Sequence, residues 1–380
     1  MPFTTLGLSP AFLKVLADQN YTQPTPIQKE AIPAILNKKD VLGIAKTGSG
    51  KTASYALPIL MGLQKPIQSK SRHIQVLILL PTRELAIQVE EVFRLFSREL
   101  PEKIKTQAVY GGVSINPQMK GLIGVNVLIA TPGRLLELVE FNAVHLSDIE
   151  VLVLDEADKM LNLGFKEEMD RIFQLLPKKR QNLLFSATLS DDVDLIKQVL
   201  LHNPIIIKIE TEDDTIDLIT HSAYRVNEER KGPLLRYLIT SQNLVQVLIF
   251  ASSVYQADNV ADKLRKNGID AKAIHSKKSQ GARTDVLTKF KTGKLRVLVA
   301  TDLISRGIDI NFLPTVINYE LPRSPKDYIH RVGRTGRAEA AGNAISLISP
   351  AEVHHFKVIQ KKIGKVINLI DTEILNLKGC

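Results

Sequence analysis

Short runs of apolar, often β-branched residues recur along the chain and alternate with stretches of helical period. In the first half these runs fall at 76–80, 127–130, 151–154, 183–185 and 205–209. In the second half they fall at 247–250, 271–274, 297–300, 316–319 and 344–348. Continuous apolar runs of this length suit strands of a parallel sheet covered on both faces. Between them, stretches such as 84–96 and 255–267 place apolar residues at helical spacing. The alternation predicts an α/β fold of two tandem, doubly wound parallel-sheet lobes. The acidic stretch 210–217 has no period of its own and reads as the linker. The expected division is a first lobe over 1–209, the linker, and a second lobe over 218–380. A helix after Pro350 is expected to close the second lobe, with no basic or glycine-rich extension beyond it. The lobes share a pattern of elements without a sequence repeat of about 20–50 residues.

Composition narrows the class. The 380 residues exceed the ~250–300 that one hydrophobic core supports, which agrees with two lobes. An apolar fraction of 44% excludes disorder as the main state. No run approaches the ~18 apolar residues of a membrane span, and the N-terminus lacks the pattern of a secretory signal. The single cysteine, Cys380, excludes an intrachain disulfide and a cysteine-based metal site, and suits a reducing, cytoplasmic home. The formal charge is +10. Residues 1–210 hold 24 basic and 22 acidic side chains, whereas 211–350 hold 21 and 15. The excess in the second half fits a polyanionic partner as well as it fits simple solubility.

Candidate chemistry begins after the apolar run 40–44. Residues 45–52 read AKTGSGKT, the spacing of a phosphate loop with Ala45 in the first position. Gly48 and Gly50 free the backbone to aim N–H groups inward, and a helix starting near Lys51 adds its positive end. Lys51 suits the β- and γ-phosphates, and the Thr52 hydroxyl suits Mg²⁺. Lys46, Thr47 and Ser49 complete the loop. The run 151–154 ends in Asp155, Glu156 and Asp158. Acids at the C-terminal edge of a parallel strand sit where α/β sheets bind ligands. Asp155 could hold Mg²⁺ through water, and Glu156 could orient an attacking water. The two motifs predict a nucleoside triphosphatase without saying what hydrolysis drives.

Residues 155–158 spell D-E-A-D, and the chain resembles the DEAD-box ATP-dependent RNA helicases over roughly 3–348. The stretches 114–119, 180–188 and 278–283 are similar to the bacterial RhlE-type subgroup. The resemblance implies two RecA-like lobes, ATP and Mg²⁺, and RNA bound without sequence preference. Within 20–28 it implies that Gln28 reads the adenine edge and Tyr21 lies against the ring, with Phe3 supporting both. A carboxamide offers a donor and an acceptor side by side, which matches that edge. RNA contacts are implied at Pro81, Thr82, Arg83, Gly112, Thr131, Pro132, Gly133 and Arg134. In the second lobe they are implied at Gln280, Arg283, Thr301 and Asp302. Such loops hold phosphate and ribose, and the 2′-hydroxyl separates RNA from DNA.

The resemblance also assigns coupling to Ser186, Thr188, Asp158, His330 and Arg331. Arg334 and Arg337 would reach the γ-phosphate across a cleft, and Gly307 and Asp309 would meet the nucleotide ribose. Inside one lobe, the three arginines of 330–337 could equally be surface charge. Departures from the family pattern are Lys46, Ser305, His275-Ser276 and 251–253, the last of which lacks a basic RNA contact that the pattern has. The activity expected is local unwinding of short duplexes or remodelling of RNA–protein complexes, by a monomer with a possible ribonucleoprotein partner. The alternatives are an ATP-gated RNA clamp that hydrolyses slowly and, further off, a DNA helicase.

Overall fold

The computed structural model describes residues 2–46, 48–64, 72–98, 100–209, 219–302, 313–336, 342–373, 375 and 377. The linker stretch and four site candidates, Thr47, Gly307, Asp309 and Arg337, lie outside them. The chain divides into two compact units, Met1–Thr211 and Glu212–Cys380.

The first unit is built on β1 (Val41–Ile44), β2 (Val76–Leu79), β3 (Thr106–Val109), β4 (Val127–Ala130), β5 (Val151–Leu154), β6 (Gln181–Ser186) and β7 (Ile205–Lys208). They form one sheet in the order β3-β4-β2-β5-β6-β1-β7, every pair parallel. The second unit holds β8 (Ile219–Arg225), β9 (Val247–Ala251), β10 (Ala271–Ile274), β11 (Val297–Thr301), β12 (Thr315–Asn318), β13 (Gly342–Ile348) and β14 (Leu369–Asp371). Its sheet is also parallel throughout, in the order β10-β11-β9-β12-β13-β8-β14. Counted from its own first strand, the second order repeats the first.

Apolar runs became strands because both faces of each sheet are covered. Along β2, Val76 and Ile78 face one core while Leu77 and Leu79 face another. The same split divides Val127 and Ile129 from Leu128 and Ala130 on β4. In the second unit Val247 and Ile249 part from Leu248 and Phe250 in the same way. Successive side chains on a strand point to opposite faces, so a two-sided core needs an unbroken apolar run. The expected helices lie at Arg83–Ser97 and Val254–Lys266.

One expectation is corrected. The helix Val353–Ile363 does not close the second lobe. Gly364, at a φ of 70°, ends that helix, and the chain returns as β14 beside β8. Leu369–Asp371 is a short, partly exposed edge strand, so it carries no apolar run to announce it.

Candidate functional site

Parallel strands place all their C-terminal ends on one edge, and the first unit's candidate residues follow those ends. The order of strands divides the edge in two. Asp155 and Glu156 follow β5, Ser186 ends β6, and the phosphate loop follows β1. Loops after β3, β4 and β2 carry Gly112, then Thr131 to Arg134, then Pro81 to Arg83.

In the first group, Gly48 and Gly50 take φ of 83° and 92°, which an L side chain rarely adopts. A side chain at Gly50 would also collide with Gln28. Lys51 opens the helix Lys51–Gly62 and is buried. Its ammonium donates to Ala45 O at 2.9 Å and stands 3.8 Å from Glu156 Oε1. The Ala45 amide donates to Ser186 O, tying the loop to β6.

Asp155 and Glu156 are also buried. Asp155 accepts the Tyr55 hydroxyl on Oδ2 and the Glu156 amide on Oδ1, each at 2.9 Å. Burial pushes the Asp155 carboxyl up to about 6, with Lys51 pulling it down and Glu156 adding to the rise. Burial, and then the charge of Asp155, pushes the Tyr55 phenol well above its usual range, so it stays a donor. Glu156 sits at a φ of 56°, the left-handed region, a strained setting for a residue with a side chain. Its Oε2 pairs with Lys159 at 3.0 Å. Thr188 Oγ1 donates to Asp158 Oδ2 at 3.0 Å, joining the loops after β6 and β5.

Gln28 is the third residue of the helix Pro26–Leu36 and forms a capping box with Thr25. Its Oε1 accepts the Thr25 amide at 3.0 Å, and its Nε2 donates to Gly50 O at 3.2 Å. These bonds use one lone pair and one hydrogen of the carboxamide. Phe3 lies in the core, and Tyr21 is half-exposed with its ring 5.7 Å from that of Phe96.

The second group of loops is cross-tied. Gly112, at a φ of 74°, lets the Arg83 guanidinium lie against its backbone, in space a side chain would fill. Arg134 donates to Val113 O at 2.8 Å and pairs with Glu137 at 2.7 Å. Thr82 caps the helix Arg83–Ser97, whereas the Thr131 hydroxyl makes no cap bond to the helix Pro132–Glu140. Pro132 and Gly133 form that helix's first turn.

In the second unit, Thr301 ends β11 and Asp302 follows it. The Asp302 carboxylate turns inward and accepts both Arg331 Nε and Nη2, at 2.6 and 2.7 Å. Arg331 also donates to Asn318 Oδ1 and Glu320 O, and its guanidinium lies over the Phe250 ring. It is therefore not surface charge. Arg334 is likewise buried, and His330 is half-buried in the helix Pro325–Val332. Gln280 and Arg283 lie in the first turn of the helix Gln280–Lys291, where Arg283 is buried.

Three residues were not singled out in the sequence. Lys159 was signalled only by its i,i+3 spacing from Glu156. The bond from Tyr55 to Asp155 spans 100 positions and leaves no local trace. Lys231 is fully buried in the second unit, between Glu228 and Glu352.

Among the described residues no group of three or more His, Cys, Asp or Glu could hold a metal. No helix among the described residues is long and apolar enough to cross a membrane.

This geometry is that of a phosphate-loop nucleoside triphosphatase in tandem α/β lobes. The family described as DEAD/DEAH box helicase matches residues 25–196, and the helicase conserved C-terminal domain matches 230–339. The chain is 38% identical to the ATP-dependent RNA helicase CshA of Listeria monocytogenes, over 96% of this chain and 69% of that protein. It is 38% identical to the DEAD-box ATP-dependent RNA helicase RhpA of Helicobacter pylori, covering 98% and 75% of the two chains. Its fold resembles Saccharomyces cerevisiae Dbp5 bound to RNA and ADP BeF3, with a TM-score of 0.84 at 30% identity, covering 98% and 96%. The chain belongs to the DEAD-box helicase family, and its lobes are RecA-like.

Proposed function

We propose that this chain couples ATP hydrolysis at the first lobe's phosphate loop to local unwinding of short RNA duplexes. Membership of the family makes it an ATP-dependent RNA helicase and RNA-stimulated ATPase. The observation that carries the site assignment is the convergence of Lys51, Asp155 and Glu156 on one strand edge, with Lys51 and Glu156 3.8 Å apart.

Lys51 and the loop amides bind the phosphates, Gln28 takes the adenine edge beside Tyr21, and Gly307 and Asp309 meet the ribose. Thr52 and Asp155 hold the nucleotide's Mg²⁺, which supplies charge neutralisation at the phosphates when bound. Glu156 orients the attacking water. Arg334 and Arg337 stabilise charge at the γ-phosphate when the lobes close. RNA runs over the loops after β3, β4 and β2 and over the corresponding loops of the second lobe. Thr188 and Asp158, bonded between the loops after β6 and β5, take the coupling role. ATP and RNA both favour the closed state, so each strengthens binding of the other.

The stretches 114–119, 180–188 and 278–283 support a place in the RhlE-type subgroup. A monomer acting in the cytoplasm on RNA and ribonucleoprotein completes the reading. The slow RNA clamp is the competing activity. The test is strand separation of a short RNA duplex with ATP, beside the Glu156→Gln variant. Separation that requires ATP and is lost in the variant supports the helicase. Tight ATP-dependent RNA retention without strand separation would make the protein a clamp.

A further inference from the structure

Glu156 lies between two lysines. Lys51 approaches Oε1 at 3.8 Å, and Lys159 approaches Oε2 at 3.0 Å. Both lysines and the glutamate are buried. The two cations differ in what else they do. Lys51 belongs to the phosphate loop, and its ammonium also donates to Ala45 O within that loop. Phosphates entering the loop would draw Lys51 to themselves. Lys159 lies outside the loop, on the helix Ala157–Asn162 that follows Glu156.

We propose that Lys159 is the positioning residue of the catalytic glutamate. It keeps the Glu156 carboxylate aimed for the attacking water after Lys51 has moved to the phosphates. This rests on Glu156 being the group that orients that water. A buried carboxylate without a partner is costly and turns toward any cation or solvent within reach. The strained backbone at Glu156 fixes where the side chain starts, and the Lys159 pair fixes where it ends. A small misplacement of such a group is enough to slow a chemical step by ~10²-fold. Lys159 touches neither phosphate nor water in this account, so it acts on the rate of chemistry and not on affinity.

The experiment uses the full chain with saturating RNA. Lys159→Met keeps the stem and removes the charge, and Lys159→Arg keeps the charge. The expected result for Lys159→Met is a kcat lower by about 10- to 100-fold. The KM for ATP and the affinity in a nucleotide titration stay within about twofold of wild type. Lys159→Arg recovers kcat to within about threefold. In single-turnover hydrolysis, Lys159→Met costs nothing further when Glu156 is already Gln, because the two residues act as a unit. The proposal is overturned by a kcat within twofold of wild type. It is equally overturned if affinity falls with kcat, or if the loss is the same in the Glu156→Gln background. If Lys159→Met does not fold, Lys159→Gln against Lys159→Arg is judged by the same outcomes. Undiminished hydrolysis by Glu156→Gln alone would instead overturn the role of Glu156.

Discussion

The two lobes have the same sheet and use the same edge of it in opposite ways. In the first, β1 leads into a glycine loop and Lys51 begins the helix. In the second, β8 leads through Val226 and Asn227 into the helix Glu228–Ser241, which opens with Glu228 and Glu229. A helix start favours anions, and the second lobe satisfies it with its own acids. Its buried Lys231 is spent on Glu228 at 3.0 Å and Glu352 at 2.9 Å. Glu352 also accepts from Ser349 after β13 and from Leu321 after β12. Those loops occupy the places of the loops after β6 and β5 in the first lobe. The same three strand ends thus meet on a closed ion pair in one lobe. In the other they meet on a pair that is 3.8 Å apart, with left-handed glycines beside it. The sheet order alone does not make a nucleotide site. In the proposed reading, two glycines that open the loop and Lys51, 3.8 Å from Glu156, do.

Substitutions can break this comparison, and the largest effect is expected at Lys51. Lys51→Ala should lower turnover by at least ~10²–10³-fold, as loss of one preorganised charge contact does. Its melting temperature should stay near wild type, and normal turnover in a folded variant would remove the site from the first lobe. Lys231→Ala is the counterpart and should do the reverse. It strands Glu352 and costs about 3 kcal/mol of stability in denaturant unfolding, while the rate per folded molecule is kept. A Lys231 variant of normal stability but lost hydrolysis would mean that the second edge is not closed.

Tyr55→Phe removes one hydroxyl from Asp155 and should cost about 1 kcal/mol, with a several-fold loss of turnover. Retained activity would mean that Asp155 needs no second anchor.

The remaining prediction concerns pH and leaves turnover at neutral pH untouched. Burial, aided by Lys365, pushes the His221 imidazole down to about 4 from 6.5. The folded state therefore prefers neutral His221, and protons bind the unfolded chain more readily. The stability this contributes is full above about pH 6.5 and is lost as pH falls toward about 4. His221→Gln should flatten the second lobe's unfolding profile across that window; an unchanged profile would place its acid sensitivity elsewhere.

Legibility in the sequence followed burial, with the exposed apolar edge strand β7 as the exception. Strands buried on both faces, such as β2, β4, β5, β9 and β11, announced themselves as apolar runs. Three strands did not. β3 reads TQAV, β8 reads ITHSAYR with several residues exposed, and β14 is a three-residue edge. Their polar residues are tolerated because β3 and β14 are sheet edges and β8 lies next to one. The phosphate loop and the acids after β5 were legible because their chemistry needs fixed spacing along the chain. Tyr55, Lys159 and Lys231 were not, because their partners are set by how strands stack in space. The inward turn of Asp302 onto Arg331 was hidden for the same reason.

In the proposed function the first lobe holds the nucleotide and the second lobe's arginines complete the chemistry. This is tested most directly by Arg334→Ala, assayed for RNA-stimulated ATP turnover beside a nucleotide-binding titration. The account predicts a loss of ~10³-fold or more in turnover, as for other arginines at a transferring phosphoryl group, with nucleotide affinity largely kept. Turnover within about twofold of wild type would contradict it.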